Sequence, residues 1–120
     1  MIRTIIIEDD PMVAQINCQY LQPLGDFQID GIFNSGAAAQ EYLKENEADL
    51  AIVDIYMPGM NGIELAQKLK AGNESINIIF VTAHAEHALE AHSMYVSGFL
   101  LKPASEDDVR TALSNLRNPI

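Results

Sequence analysis

The sequence predicts an α/β domain in which a five-stranded parallel sheet has helices on both faces. Short apolar, largely β-branched runs alternate with stretches of helical periodicity along the whole chain. Strands that alternate with helices pair in parallel, because each helical connection crosses one face of the sheet. A length of 120 residues with 48% apolar composition is typical of one globular domain and excludes a disordered chain or a disulfide scaffold.

The first half of the chain contains two predicted strand–helix units. Thr4–Ile7 is a β-branched run, and Pro11 suits the first turn of the helix that follows. Apolar residues recur in that helix at roughly helical spacing, namely Met12, Val13, Ile16, Tyr20 and Leu24. Met12 is expected to pack in the core or a loop, and Cys18 is expected to be a buried small apolar residue. Phe27–Phe33 alternates apolar and polar residues, which predicts a less buried strand, and Ser35 is a candidate cap for a helix over Gly36–Asn46.

The second half continues the same alternation. The predicted strands are Leu50–Val53, Ile76–Val81 and Gly98–Leu101, and the predicted helices between them are Gly62–Ala71 and Glu86–Tyr95. Ser105 with Asp108 resembles a capping box for a last helix that runs to about Leu116. We assign residues 1–120 to one domain, with a linker that starts near residue 118 if the natural protein is longer.

Charge and cysteine content narrow the partners and the compartment. Seventeen acidic and seven basic residues give a net charge of −10, so we expect this domain to contact neither nucleic acid nor an anionic membrane. The one cysteine, Cys18, cannot form an internal disulfide and indicates a reducing compartment. The start of the chain lacks a signal-peptide pattern, and no apolar run approaches the ~20 residues of a membrane span. We therefore expect a cytoplasmic protein.

Chemically active residues follow four of the five predicted strands. In chain order they are Glu8, Asp9 and Asp10, then Asp54, then Thr82 and Ala83, and then Lys102. Ligands of an open parallel sheet bind beyond the carboxyl ends of its strands, so these groups are expected to converge, with Asp54 facing solvent at its strand end. Clustered carboxylates repel one another and need a cation, and hard oxygen ligands suit Mg²⁺, with Mn²⁺ as the alternative.

Each of these residues taken alone has a purely structural explanation. Acids after the first strand suit a helix N-terminus, and Asp54 suits a turn or a cap. Thr82 could be a strand-end hydroxyl and Lys102 a solvated surface amine. Their coincidence at the same end of successive strands favours a site. The three histidines between residues 84 and 92 are better explained as a solvated helix face than as metal ligands.

The motifs resemble, in order and spacing, those of two-component response-regulator receiver domains, and the resemblance covers essentially the whole chain. Asp54–Gly62 fits the pattern D-x-x-M-P-x-x-x-G of that family. Ile7–Asp10, Val81–Ala83 and Phe99–Pro103 fit the remaining motifs. The resemblance implies a flavodoxin-like (βα)5 fold, a doubly wound parallel five-stranded sheet with strand order 2-1-3-4-5.

The same resemblance implies a role for each matched residue. Asp54 would accept the phosphoryl group. The metal site would be formed by Glu8 through water, by Asp9, by Asp54 and by the backbone carbonyl of Tyr56. The phosphate-binding and switch residues would be Thr82, Ala83, Lys102 and Phe99, with a cis peptide bond before Pro103. Tyr56 and His84, two residues after the acceptor and two after the switch threonine, are expected to set the rate of phosphate loss.

The implied function is a phosphorylation switch and not a turnover enzyme. A sensor histidine kinase would donate the phosphoryl group to Asp54 in the presence of Mg²⁺. The face formed by the predicted fourth helix, the fifth strand and the fifth helix would then repack and control an output domain or a downstream protein, in a transcriptional response. A homodimer could form through the same face. The domain would catalyse only its own phosphorylation and dephosphorylation.

Two other functions stay open at this point. Small aspartyl-phosphate phosphohydrolases use a similar set of residues, but they usually carry a second aspartate two residues after the nucleophile, where this chain has Tyr56. A phosphorylation-independent interaction module is disfavoured because every acceptor-site position is present. Reaction with acetyl phosphate and Mg²⁺ separates the three hypotheses.

Overall fold

A computed structural model describes residues 2–21, 27–57, 59, 61–82, 96–101, 105–114 and 116. Its elements, in chain order, are β1 (Ile2–Ile7), α1 (Pro11–Leu21), β2 (Phe27–Phe33), α2 (Gly36–Leu43), β3 (Leu50–Val53), α3 (Gly62–Gly72), β4 (Asn77–Thr82), β5 (Gly98–Leu101) and the C-terminal helix (Glu106–Ser114). The helix predicted over Glu86–Tyr95 lies outside the described residues.

The sheet confirms the predicted topology. Five parallel strands lie in the order β2-β1-β3-β4-β5, so the fold is the flavodoxin-like one. β2 is an edge strand with no fully buried residue, as its alternating pattern predicts. An irregularity in the β1–β2 pairing falls between Thr4 and Ile5. The order brings the carboxyl ends of β1 and β3 side by side, with β4 next to them.

Alternating strand residues pack into two apolar layers, one on each face of the sheet. One layer joins β1, β3 and β4 to α3, through residues that include Ile5, Ile7, Val53, Phe80, Leu65 and Leu69. The other layer joins the same strands to α1 and the C-terminal helix, through residues that include Ile6, Ile52, Ile79, Cys18, Leu21 and Val109. The sheet is therefore packed on both faces, and this packing fixes the positions of the ends of β1, β3 and β4.

The structure confirms the predicted burial of Cys18, but Met12 does not pack in the core as predicted. Met12 and Ile16 are 75% and 42% exposed, and among the described side chains of the helix the buried apolar ones are Ala14, Cys18 and Leu21. Leu24 lies outside the described residues. The prediction for Met12 was wrong because apolar residues occur on both sides of this helix, so their spacing does not settle its rotation. Packing settles it, since small Ala14 and Cys18 allow the helix to lie close to the sheet.

Several boundaries shift by one to three residues. α2 ends at Leu43 and not at Asn46, because the Asn46 side chain donates a hydrogen bond to the Tyr42 carbonyl at 2.9 Å and so closes the helix end. β1 begins earlier than predicted, at Ile2, and β4 runs one residue later, to Thr82. The last helix ends at Ser114, and its capping box is confirmed by reciprocal bonds between Ser105 and Asp108 at 3.1 and 3.2 Å.

No helix in the described part of the chain combines the length and apolar character that a bilayer crossing requires.

Candidate functional site

Two buried acids stand side by side at the carboxyl edge of the sheet. Glu8 follows β1 and Asp54 follows β3, and they are only 3% and 6% exposed. Each continues its strand's hydrogen bonding, since the Glu8 N–H donates to the Phe33 carbonyl and the Asp54 N–H to the Ile7 carbonyl, both at 2.9 Å. The expectation that Asp54 faces solvent is therefore wrong. The backbone hydrogen bonding extends one residue past the ends of β1 and β3 and keeps Glu8 and Asp54 buried.

Asp9 completes a cluster of three carboxylates with Glu8 and Asp54. Asp9 is exposed, and one carboxylate oxygen from each residue lies within 4.8 Å of the others. Oxygens on opposite sides of one Mg²⁺ ion are about 4.2 Å apart, from metal–oxygen distances of about 2.1 Å, so this donor set comes close to holding such an ion. The hard oxygen donors and the negative charge fit a divalent cation, as the sequence predicted.

Asp10 has the structural role considered for the acids after the first strand. Its side chain accepts a hydrogen bond from the Met12 N–H at 2.9 Å, and its carbonyl accepts from the Ala14 N–H at 3.0 Å. Asp10 therefore caps α1. Its own N–H donates to Glu8 Oε2 at 3.3 Å, which ties the cap to the acid cluster. The acids after β1 thus divide into two cluster residues and one helix cap.

The loop that carries Asp54 is backed by the start of α3. The Gly62 N–H donates to the Ile55 carbonyl at 2.6 Å, and a Cβ built on Gly62 would lie 2.2 Å from the Asp54 carbonyl oxygen. Only glycine allows the helix to begin this close to the loop. Asn61 caps the same helix by accepting from the Glu64 N–H at 2.8 Å. Gly62 is the last residue of the matched motif, but the motif does not predict this packing role.

The side chain of Asp54 also accepts a hydrogen bond within its own loop. The Tyr56 N–H donates to Asp54 Oδ1 at 3.4 Å. The Tyr56 side chain is about half exposed, at the protein surface beside the acids. The structure therefore places Tyr56 next to the predicted phosphoryl acceptor. This position is needed if Tyr56 is to influence access to Asp54.

β4 and β5 bring the predicted switch residues into the same part of the sheet. Thr82 is the last residue of β4, is fully buried, and pairs with Leu101 of β5. Two residues earlier, Phe80 pairs with Phe99, and their rings meet edge to face with centroids 6.4 Å apart. The sequence did not reveal Phe80 as the partner of Phe99. The remaining predicted site residues, Ala83, His84, Lys102 and Pro103, lie outside the described residues.

A cleft of about 350 Å³ opens beside the acid cluster. Glu8 and Asp9 form one side of it, and the end of β2 with the residue that follows forms another, through Ile32, Phe33 and Asn34. The sequence analysis did not single out Ile32 or Asn34. Their position at the carboxyl end of a strand was the signal that could have identified them.

Comparison with known proteins agrees with this geometry. The family model described as the response regulator receiver domain matches residues 4–114. The chain is 40% identical over 119 residues to the transcriptional regulatory protein MalR of Bacillus subtilis (strain 168), a match that covers 98% of this chain and 51% of MalR. The chain thus spans about half the length of the curated relatives it matches.

Two solved structures illustrate the likeness in three dimensions. The response regulatory domain of the protein MrkE from Klebsiella pneumoniae has a TM-score of 0.89 at 30% identity, with 95% of this chain and 93% of that chain covered. The response regulator TrrA from Thermotoga maritima, in complex with Mg²⁺ and BeF, has a TM-score of 0.85 at 25% identity, with 95% and 97% covered.

The sheet order and the acids at its carboxyl edge define a receiver-type α/β domain. The chain belongs to the response regulator receiver domain family. It is a receiver domain of the two-component response-regulator type.

Proposed function

We propose that this domain is a phosphoacceptor switch that takes a phosphoryl group from a sensor histidine kinase onto Asp54. The observation that carries the proposal is the cluster of Glu8, Asp9 and Asp54 carboxylates within 4.8 Å at the edge of a receiver fold. Three like charges held so close are unfavourable without a cation or a reaction that uses them. The proposed site would supply both a divalent cation and a phosphoryl transfer that uses the carboxylates.

In the proposed reaction, a carboxylate oxygen of Asp54 attacks the phosphorus atom of a phosphohistidine. The new oxygen–phosphorus bond forms as the nitrogen–phosphorus bond breaks, and the leaving imidazole keeps the electron pair and takes up a proton. The product is an acyl phosphate on Asp54, a covalent aspartyl intermediate of a known kind. The Asp54 carboxylate is positioned for this attack by its backbone N–H bond to Ile7 and by the start of α3 behind it.

Asp9, Asp54 and the water-mediated Glu8 would hold Mg²⁺, or Mn²⁺ in its place, with the Tyr56 carbonyl as a further ligand. When bound, the ion neutralises charge on the phosphoryl oxygens. The TrrA structure contains Mg²⁺ together with BeF. Glu8 is held in the fold by its bond to Phe33, and the exposed Asp9 completes the donor set.

Phosphorylation would be read out through Thr82 and Phe99. A phosphoryl group adds a charge of about −1.5 to −2 and strong acceptor oxygens. The Thr82 hydroxyl would donate to one of these oxygens, as would the backbone of Ala83, and Lys102 would contribute a compact positive charge. Movement of Thr82 would change the space next to the pair of Phe80 and Phe99, and the surface built on β5 would repack.

The output is proposed to lie in the part of the natural protein beyond this chain. Relatives such as MalR carry the name of transcriptional regulators and are about twice as long. We therefore propose one receiver domain over residues 1–120 of a cytoplasmic protein, with a linker from about residue 118. Homodimerisation would use the face formed by the predicted fourth helix, β5 and the C-terminal helix. Because its net charge is −10, the receiver itself would not bind DNA, and the output domain or partner would make that contact.

Intact-mass spectrometry after incubation with acetyl phosphate and Mg²⁺ tests the proposal. We expect a labile gain of one phosphoryl group in the wild type and no gain when the metal is chelated, with recovery on addition of Mn²⁺. Sustained hydrolysis of a phosphate monoester such as p-nitrophenyl phosphate would support a phosphohydrolase instead. No reaction with either reagent would support a phosphorylation-independent interaction module.

A further inference from the structure

A continuous set of hydrogen bonds joins four strands at the edge of the sheet opposite the acid cluster. Arg3 of β1 donates from its backbone N–H to Asp49 Oδ2 at 2.9 Å and from its guanidinium to both carboxylate oxygens at 3.0 and 3.1 Å. Asn77 of β4 donates from its backbone N–H and from Nδ2 to the Asp49 carbonyl at 2.9 and 3.2 Å. Ser97 Oγ then donates to Asn77 Oδ1 at 2.8 Å. We name Arg3, Asp49, Asn77 and Ser97 the basal network.

Asn77 is the member of the basal network that packing alone does not explain. It is fully buried and begins a strand in which every residue is buried. Burying an amide costs free energy unless its polar groups are hydrogen-bonded, whereas an apolar residue would carry no such cost. The Asn77 side chain bonds to a residue on each side: Nδ2 donates to Asp49, which precedes β3, and Oδ1 accepts from Ser97, which precedes β5. Buried polar groups satisfied in this way specify one arrangement of their neighbours.

β5 is the strand with most need of such a constraint. It has four residues, lies at the edge of the sheet and is only partly buried. A slip of one residue would move every side chain to the other face, including Phe99, which now packs against Phe80. Ser97 holds the residue before β5 at two points, through its N–H bond to the Ile78 carbonyl at 2.8 Å and its Oγ bond to Asn77.

We propose that Asn77 is a positioning residue for the phosphoryl chemistry, acting from the opposite edge of the sheet by fixing the register of β5 through Ser97. That register places Leu101 beside Thr82. Lys102 is the next residue in the sequence. The expected effect on phosphorylation rests on the proposed function, whereas the effect on the register of β5 does not.

Amide hydrogen exchange tests how firmly the basal network holds β5 in its register. In Asn77→Ala, the ratio of exchange rates between the amides of β5 (Gly98–Leu101) and those of Ile5–Ile7 should rise about tenfold, the scale of one lost buried hydrogen bond, because only the bond with Ser97 reaches β5. Leu21→Ala is the matched control, because it removes a buried apolar side chain of α1 and should leave the ratio unchanged. Ser97→Ala removes the same bond at a partly exposed position and covers the case in which Asn77→Ala does not fold. An unchanged ratio in both network variants would overturn the inference.

Phosphorylation by acetyl phosphate tests the remote effect. Asn77→Ala and Ser97→Ala should slow labelling of Asp54 by about tenfold while leaving the Mg²⁺ concentration that half-saturates the thermal shift unchanged, since the metal site is built on β1 and β3. The double variant should be no slower than Asn77→Ala, because Asn77→Ala already removes the hydrogen bond that Ser97→Ala removes. Wild-type labelling rates in variants with altered β5 exchange would overturn the functional claim. No labelling of the wild type would reject the proposed function, while the exchange ratio alone decides the register claim.

Discussion

The amino and carboxyl edges of the sheet differ in whether their charged groups are paired with groups of opposite charge. At the amino edge, the Asp49 carboxylate is matched by the Arg3 guanidinium, and the buried amide of Asn77 is hydrogen-bonded on both sides. At the carboxyl edge, Glu8, Asp9 and Asp54 bring three carboxylates within 4.8 Å. The first arrangement stabilises the fold, and the second opposes it through repulsion between like charges. The proposed phosphoryl transfer accounts for an unfavourable cluster on an otherwise well-satisfied framework.

Changing one carboxylate to an amide at each edge should separate these roles, with the largest effect at the acceptor. Asp54→Asn is expected to abolish phosphorylation and to keep or raise the melting temperature, because one of three repelling carboxylates is neutralised. Asp49→Asn is the matched control, and it should be phosphorylated normally but melt at a lower temperature. The phosphoryl mass shift and the melting temperature are measured for both. Full labelling of Asp54→Asn at another residue would contradict the assignment.

The two ends of α3 offer a second comparison, because Gly62 faces the acceptor loop and Gly72 faces the amino edge. Gly62→Ala should destabilise the domain by about 3 kcal/mol, since its Cβ would overlap the Asp54 carbonyl oxygen. Gly72→Ala meets nothing within 4 Å and should be neutral or stabilising by up to about 1 kcal/mol. Urea unfolding measures both. Equal costs at the two positions would show that the approach of α3 to the loop has no special role.

Mg²⁺ should stabilise the domain through the carboxyl edge alone. Binding restricted to the folded state raises the free energy of unfolding by about 2.7 kcal/mol at 100 times Kd. Asp9→Ala is expected to remove this gain, and Glu47→Ala, an exposed acid at the opposite edge, should keep it. Thermal melts with and without millimolar Mg²⁺ provide the measurement. A wild-type melting temperature that ignores Mg²⁺ would count against a metal site on these acids.

Phosphate loss should be slow, because neither Tyr56 nor His84 carries a carboxylate or amide to orient an attacking water. Tyr56, about half exposed beside Asp54, would shield the acyl phosphate. The double change Tyr56→Asn with His84→Glu should then speed loss by about tenfold, within the range of a positioned acid–base group. The wild-type rate should be nearly flat from pH 6 to 8. A rate that rises with pH through this range and collapses in His84→Ala would point to general-base catalysis instead.

Strand positions were easier to predict from the sequence than helix rotation. Phe27–Phe33, Leu50–Val53 and Gly98–Leu101 have the predicted bounds, because alternating or continuous apolar segments bounded by polar residues are local signals. The inward face of α1 is not local in this sense. The burial of Cys18 could be predicted from its residue type, but the apolar residues are spread around the helix, so that only packing against the sheet decides that Met12 is exposed.

The convergence of the acids was predictable, whereas the burial of Asp54 was not. Residues that follow neighbouring parallel strands meet at one edge of the sheet, and this rule alone is enough to bring Glu8, Asp9 and Asp54 together. The depth of Asp54 depends on a backbone hydrogen bond to Ile7 and on the close approach of α3 at Gly62. The motif that starts at Asp54 includes Gly62, but neither the hydrogen bond to Ile7 nor the distance of this close approach can be derived from the motif.

The basal network illustrates what sequence patterns miss. Its hydrogen bonds join residues 46, 28 and 20 positions apart. Single polar residues at strand starts show no periodicity, and an acid or arginine there is equally compatible with a solvated surface. Only the strand order brings Arg3 next to Asp49, and it brings Asn77 between Asp49 and Ser97.

The smallest expected effect concerns the charge pair of this network and its dependence on pH. Hydrogen bonds from Arg3 hold the pKa of Asp49 below its ordinary value. A carboxyl with a depressed pKa in the folded state contributes stability above its unfolded pKa of about 3.9, and this contribution is lost as the pH falls through the lower folded pKa. Arg3→Met should therefore lower the free energy of unfolding at pH 7, and the loss should shrink progressively below about pH 4. Lys44→Met, which removes an exposed pair with Glu41, should cost only a few tenths of a kcal/mol, about what such helix pairs contribute. Unfolding free energies measured from pH 7 to 3 provide the test, and a difference between wild type and Arg3→Met that stays constant over this range would show that the Asp49 charge has no part in it.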